Sequence, residues 1–448
     1  MVVEGWLARA ARERPERIAV ETPSGSCTYA QLLARAGAGA GALQERGVRR
    51  GQRVAIALPA GVDFAVALHA CMLGGAVAVP VDLRLSVVEQ EAVAAGALTV
   101  IDEPLIARNP PTHPAWRDAR HELDATAVVI HTSGTSSAQK PVALTYGNLL
   151  WSALGSAVAL GLDPDERWLC ALPLSHVGGL SILVRSAIYA TTAIVHERFD
   201  TEPVLDSLRE REVTLVSLVA TTLTRLLDAG LHAPPALRCA LTGGGPVPGA
   251  LVRRAHEAGV PVSMTYGLTE SSSQATTTPL AALARGELGA GPPLFCTRLR
   301  CADDGEILIA GPTVAPGSLA PDGWLHTGDL GEIDERGRLT VTGRKADTIV
   351  SGGENVAPSE VEAVLESHPD VLEAAVVGRP DERWGEAVTA IVVVRDGRAP
   401  DPAALRAHCA AALAPYKVPK RVVVSEHSLP RTRSGKLLRR ELRLSDAR

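Results

Sequence analysis

The sequence predicts an α/β protein: a large N-terminal domain of α/β subdomains with mostly parallel sheets and a small β-barrel-like part, then a smaller α+β C-terminal domain. Three observations carry this. Helix-like and strand-like apolar segments alternate through the first part of the chain as far as residue 267. From about Gly286 short strands and turns replace them, as in "LRCADDGEILIAG" and "GWLHTGDLGEIDERGRLTVTGR". After Arg344 helices and strands mix again, and the last forty residues are basic. At 448 residues it is too long for one core. The change of pattern sets the expected domains at 1–345 and 346–448.

The elements follow in order. "TYAQLLARAGAGAGALQERG" has a Thr cap, spaced apolar residues and a stopping glycine, and reads as a helix. Its "GAGAGA" matches a dinucleotide fingerprint formally, but it lies inside a helix rather than between strand and helix. "RVAIALP" is a strand, 64–73 a helix and "GAVAVPVD" a strand. "ATAVVI" is a buried strand, "YGNLLWSALGSAVALG" a helix, "RWLCALP" a strand, "GGLSILVRSAIYA" a helix and "TTAIVH" a strand. Then come helix "TEPVLDSLRERE", strand "VTLVSLV", helix "TTLTRLLDAG", strand "LRCALTGGG", helix "PGALVRRAHEAG" and strand "VPVSMTYG". The C-terminal part offers helices "PSEVEAVLESH" and "DPAALRAHCAAAL" and strands "VLEAAVVG" and "AVTAIVVV".

Composition excludes several functions. A net charge of −5 argues against a general nucleic-acid binder, and 3% aromatic residues leave no base-stacking surface. The 7 cysteines include no C-x-x-C pair and read as core thiols of a reducing cytoplasm. The N-terminus mixes charges and has no apolar signal core. The longest uncharged run, 64–81, is interrupted by His69, Gly74, Gly75 and Pro80, so a buried helix leading into a strand is expected and no membrane span.

Chemistry concentrates at strand ends. "HTSGTSSAQKPV" places hydroxyls, a glycine and Lys140 after "ATAVVI", a turn suited to phosphate. It is not a Walker loop, because Gln139 and Pro141 replace the second glycine and the Ser/Thr. An ordinary polar strand-to-helix turn is the alternative. "LTGGGPVP" supplies Gly243, Gly244 and Gly245, which let a flat ring approach the backbone. "TYGLTE" brings Tyr266, Gly267, Thr269 and Glu270: an aromatic, a hydroxyl and a carboxylate suited to a base, a phosphate and Mg²⁺. Asp329 in "HTGD" could accept two ribose hydroxyls, and Arg344 and Lys436 are further cations. Taken singly, each could be a core tyrosine, a turn aspartate or a solvated lysine.

Together and in this order, "HTSGTSSAQKPV", "PLSHVGG", "TYGLTE", "HTGD", "TGRKADTIVSGGENVAPSEVE" and "PRTRSGK" resemble the adenylate-forming enzymes: acyl- and aryl-CoA synthetases, peptide-synthetase adenylation domains and luciferases. The resemblance implies an adenylation domain over 1–345, a mobile domain over 346–448, and ATP, Mg²⁺ and CoA as co-substrates and cofactor. Thr132, Ser133, Gly134, Thr135 and Lys140 would hold phosphates. Thr269, Glu270, His176 and Lys436 would be catalytic, with Glu270 on Mg²⁺ and Lys436 bridging the carboxylate and the α-phosphate. Gly243 to Gly245, Tyr266 and Gly267 would hold adenine, and Asp329 and Arg344 the ribose. Gly352 and Gly353 would line a CoA tunnel once the C-terminal domain turns about Ala346. Partners would be a small carboxylic acid, ATP and CoA; a homodimer is left open.

The chain departs from the family pattern at Ser137, Gln139 and Ala346, where a glycine, a proline and an Asp or Lys are usual. These departures bear on loop closure and domain rotation. Within the family, "LTYGNLLWSALGSAVALGL", "RWLCALPLSHVGGLSILVRSAIYATTAIVHERFD" and "YGLTESSSQ" look like the o-succinylbenzoate–CoA ligases of menaquinone biosynthesis. Their substrate has a second carboxylate, costly to bury unpaired. Arg185, Ser272, Ser273 and Gln274 are the candidates for the acyl pocket, with Arg185 on a helix surface as its alternative. Another aryl- or medium-chain acyl-CoA ligase and a peptide-synthetase-type adenylation enzyme are the rival functions.

Overall fold

The structure is a computed structural model and describes residues 1–106, 115–132, 140–283, 289–395, 398, 400–431 and 437–444. Its contacts divide the chain into two units, Met1–Leu299 with Ile309–Leu325, and Arg300–Leu308 with His326–Arg448. The second unit therefore begins within the short-strand region, before residue 346.

The first unit holds two large sheets. One has five strands in the order Thr99–Ile101, Arg53–Ile56, Val77–Pro80, Thr126–Thr132 and Lys140–Thr145. All neighbours are parallel except the last pair, which is antiparallel. The run 127–130 is wholly buried, as an unbroken apolar strand in a sheet covered on both faces must be. The other has eight strands in the order Thr276–Thr277, Val262–Tyr266, Cys239–Thr242, Leu215–Leu218, Arg167–Cys170, Thr192–Val195, Ile18–Thr22 and Gly25–Thr28. Its first and last pairs are antiparallel and the rest parallel. Parallel strands deliver their carboxyl ends to one edge, which puts Gly243 after one strand and Tyr266 at the end of its neighbour.

The helix Tyr29–Glu45 is closed by a capping box between Thr28 and Gln31. Its "GAGAGA" is a packing surface: a Cβ on Gly37 would come within 2.7 Å of Trp116, and one on Gly39 within 3.1 Å of Ala70 and Leu105. The run 64–81 splits into the helix Val62–Gly74 and the strand Val77–Pro80. Among the described residues no helix is long and apolar enough to cross a membrane. All 7 cysteines are free, Cys296 and Cys301 half-buried and the rest buried.

The expected barrel-like part is a four-stranded sheet in the order Arg298–Cys301, Glu306–Ala310, Leu325–Ile333 and Leu339–Arg344. In the second unit a further sheet runs Glu354–Val356, Ile349–Ser351, Gly385–Val394 and Val371–Asp381, with Arg421–Ser425 parallel to Gly385–Val394. Helices Pro358–Glu366 and Pro402–Ala412 bury Val361, Leu365, Leu405 and Cys409 in a core with Ile349, Val356, Val376, Val388 and Val392.

Candidate active site

The strands that flank the phosphate-loop candidate, Thr126–Thr132 and Lys140–Thr145, pair antiparallel, so a strand and not a helix begins at Lys140. Thr132 pairs with Lys140, and Thr132 Oγ1 donates to the Lys140 carbonyl at 3.3 Å. Pro141 sits on the edge strand, where its missing N–H costs no ladder bond. Ser133, Gly134, Thr135, Ser137 and Gln139 lie outside the described residues.

At the strand ends of the eight-stranded sheet, backbone packing dictates two of the glycines. A Cβ on Gly243 would meet the Thr265 carbonyl at 2.7 Å, and one on Gly267 the Ser273 carbonyl at 1.6 Å. Gly245 faces open space. Tyr266 pairs with Thr276, so 267–275 loops out of a hairpin. Its first part is the 3-10 turn Thr269–Ser271, which leaves Thr269 and Glu270 half-buried. Ser272 and Ser273 then take φ of 59° and 95°, conformations that non-glycine residues adopt at a cost.

That strained turn is held by buried polar bonds. Ser272 Oγ donates to the Thr313 carbonyl at 2.7 Å. Ser152 Oγ donates to the Ser272 carbonyl at 2.6 Å and accepts from Arg185 Nη2 at 3.1 Å. Arg185 is 2% exposed, which excludes the helix-surface alternative. Its guanidinium lies over the Trp168 ring, 5.5 Å from the centroid. Among the described residues no carboxylate pairs with it, and its Nε has no partner. Burial lowers the group to about 10, so it stays a cation at neutral pH. Gln274 donates from Nε2 to Thr277 Oγ1 at 2.7 Å, while its Oε1 is buried without a partner among the described residues.

His176 precedes the helix Val177–Tyr189, the one that carries Arg185. Its Nε2 lies 3.3 Å from Arg84 Nη2 and 3.8 Å from Asp82 Oδ2. Sequence reasoning passed over Asp82 and Arg84, and also Ser152 and Thr313. For the first two the signal was present: "VPVDLRLS" puts them just past a buried parallel strand, as "TYGLTE" puts Glu270. Ser152 and Thr313 had none, since only tertiary packing brings them to Arg185 and Ser272.

In the second unit Asp329 and Arg344 pair across two antiparallel strands, with Arg344 Nε 2.9 Å from Asp329 Oδ1 and Asp329 buried. Lys345 reaches Asp304 at 2.6 Å and Glu306 at 3.1 Å, and Ala346 follows within the 3-10 turn Lys345–Asp347. Gly352 and Gly353, at φ 64° and 85°, form the two-residue turn between Ile349–Ser351 and Glu354–Val356. A Cβ on Gly352 would lie 3.0 Å from the Trp384 ring, which also has Arg383 and Lys420 over it, 5.0 and 4.8 Å from its centroid. Lys436 lies outside the described residues.

The family model for the AMP-binding enzyme matches residues 7–101 and 87–319, and that for the AMP-binding enzyme C-terminal domain matches 360–436; the chain belongs to this family. It is similar to the 2-succinylbenzoate–CoA ligase of Bacillus cereus (strain Q1), 40% identical over 472 residues and 98% of each chain. It is also similar to the o-succinylbenzoate CoA synthetase of Bacillus subtilis in complex with the acyl-adenylate intermediate OSB-AMP. There the TM-score is 0.90 and the identity 37%, over 100% of this chain and 99% of that one. The same synthetase in complex with ATP and magnesium ion gives a TM-score of 0.89 and 37% identity, over 99% and 100%.

Proposed function

We infer that this chain is an ATP-dependent acid–thiol ligase that converts o-succinylbenzoate to o-succinylbenzoyl-CoA. In the first step a carboxylate oxygen attacks the α-phosphorus of ATP, and pyrophosphate leaves. In the second the CoA sulfur attacks the acyl carbon, the bond to the AMP oxygen breaks, and AMP leaves. Thr132 and Lys140 flank the loop that would hold the outgoing phosphates. Thr269 would touch the α-phosphate, Tyr266 would face adenine, and Asp329 and Arg344 would grip the ribose. Lys436 would offset the charge gathering between carboxylate and phosphate. Gly353, with no atom within 4 Å of a Cβ, would leave room for the pantetheine arm, while Gly352 packs against Trp384, which with Arg383 and Lys420 would offer the arm an aromatic and cationic margin.

Among the described residues no group of three or more His, Cys, Asp or Glu could hold a metal. A half-buried Glu270 fits Mg²⁺ nonetheless, because that ion commonly takes one or two carboxylates with substrate phosphates and water. Bound there, Mg²⁺ would neutralise charge on the phosphates.

Arg185 carries the choice of acid. A buried cation with no carboxylate beside it among the described residues suits an acid with a second carboxylate. The test is a panel of acids assayed for ATP- and CoA-dependent AMP release. o-Succinylbenzoate is expected to exceed benzoate by at least about 10²-fold in kcat/KM, since benzoate leaves the cation unpaired. Equal use of benzoate or octanoate would sink the substrate assignment and leave the ligase assignment standing.

A further inference from the structure

Asp82 and Arg84 follow the strand Val77–Pro80, and the reaction as derived gives them no part. Arg84 Nε and Nη2 clamp the two oxygens of Asp82 at 2.8 and 2.6 Å, and the Arg84 backbone N–H donates to Asp82 Oδ1 at 3.0 Å. Such a two-bond fork fixes the plane of the guanidinium. Burial raises the Asp82 carboxyl, but the hydrogen bonds and charge of Arg84 outweigh it and the net shift is down. The fork is therefore anchored on an ionised, mostly buried carboxylate.

The same Nη2 points to His176 Nε2 at 3.3 Å. A guanidinium has donors only, so Nε2 must receive this bond on its lone pair. The ring proton then belongs on Nδ1, and the imidazole is neutral. A protonated ring would oppose N–H to N–H and cation to cation. The 3.8 Å separation from Asp82 Oδ2 is too long for a direct hydrogen bond, so the hydrogen-bonded path from the carboxylate to the ring runs through Arg84.

We propose that Arg84, held by Asp82, is a positioning residue that fixes the tautomer and the ring orientation of His176 for the acyl-activation step. This rests on reading His176 as part of that step. Two residues past one sheet strand thus set the state of a side chain at the head of the helix that bears Arg185.

The test is a double-mutant cycle in the full-length enzyme. Arg84→Gln, Arg84→Lys and Asp82→Asn are each made with His176 intact and with His176→Asn. Acyl-adenylate formation is followed by single-turnover pyrophosphate release, and thioester formation from supplied acyl-adenylate, with KM for acid, ATP and CoA. With His176 intact, Arg84→Gln and Arg84→Lys are expected to lower kcat/KM for the acid in adenylate formation by about 10- to 10²-fold, the cost of a misplaced group. Once His176 is Asn, the same changes should fall within about 2-fold, because they act through the ring. In protein labelled with ¹⁵N-histidine, His176 Nε2 should report as unprotonated, and Arg84→Gln should abolish that single tautomer. The same loss in both backgrounds overturns the proposal. So does an effect confined to KM for CoA, which would give Arg84 to the thiol substrate. If the wild-type enzyme adenylates some acid but not o-succinylbenzoate, the substrate reading fails, and the cycle run with the accepted acid still decides this proposal.

Discussion

A guanidinium as deeply buried as that of Arg185 costs folding free energy until an anion reaches it. Arg185→Met keeps the volume and removes the charge. It is expected to raise KM for o-succinylbenzoate by about 10²-fold or more and to narrow its advantage over benzoate. The melting temperature should hold or rise, because replacing a buried ion by a hydrophobe is often neutral or stabilising. Steady-state kinetics on both acids with a thermal melt of each protein checks this, and an unchanged acid preference would remove Arg185 from the pocket. The depth of this residue was legible in part. "GGLSILVRSAIYA" is apolar on every face, the mark of a buried helix, so its one cation could not sit on a solvent stripe. Its link to Ser272 through Ser152 was not legible, since those residues are far apart in sequence and meet only in the packed first unit.

At the scale of elements, periodicity placed most helices and parallel strands, because their apolar runs are long and cleanly bounded. It missed the strand Lys140–Thr145, whose "KP" start reads as loop and whose end abuts the Thr145 capping box of the next helix. An edge strand tolerates both, so no local signal marks it. The helix Pro358–Glu366 carries a different feature. Glu366 packs toward the strand Val371–Asp381, and burial, with Glu362 and Glu373 adding to it, raises its carboxyl to about 7; the Ala374 N–H and Arg431 pull the other way. With the folded value above the ordinary 4.5, the unfolded chain releases this proton first as pH rises. Stability from this group is thus full below about pH 4.5, declines up to about pH 7 and is flat beyond. Glu366→Gln should therefore stabilise the protein by about 1–3 kcal/mol at pH 8 and by little at pH 4.5. Denaturant melts at the two pH values check it, and an equal effect at both would show that the carboxyl is not held neutral.

For the whole molecule, the two half-reactions make opposite demands on one acyl carbon. Adenylate formation needs a cation between carboxylate and phosphate. Thioester formation needs that space cleared for a sulfur on a long arm. One rigid arrangement serves both poorly, and the family resemblance implies that the C-terminal domain answers by turning about Ala346, whose short side chain in a 3-10 turn suits a hinge. The order of motifs is what suggests this division of labour, with "RSGK" and "SGGEN" both in the later part of the chain. The division into units is not marked in the pattern, because Arg300–Leu308 groups with the second unit and Ile309–Leu325 with the first, and strand patterns carry no label for the partner they join. The consequence is a crossed pair of variants. Lys436→Ala should slow acyl-adenylate formation by about 10²–10³-fold, the usual loss when a transition-state charge partner is removed, yet spare thioester formation from supplied adenylate. Gly353→Leu should do the reverse. Its φ of 85° makes any side chain strained there, and no atom within 4 Å would confine the leucine, which is left to project where the thiol arm should pass. Rapid-quench measurement of each half-reaction separates the two. If both variants slow both steps alike, one arrangement performs the whole reaction, and the alternation of the C-terminal domain fails with it.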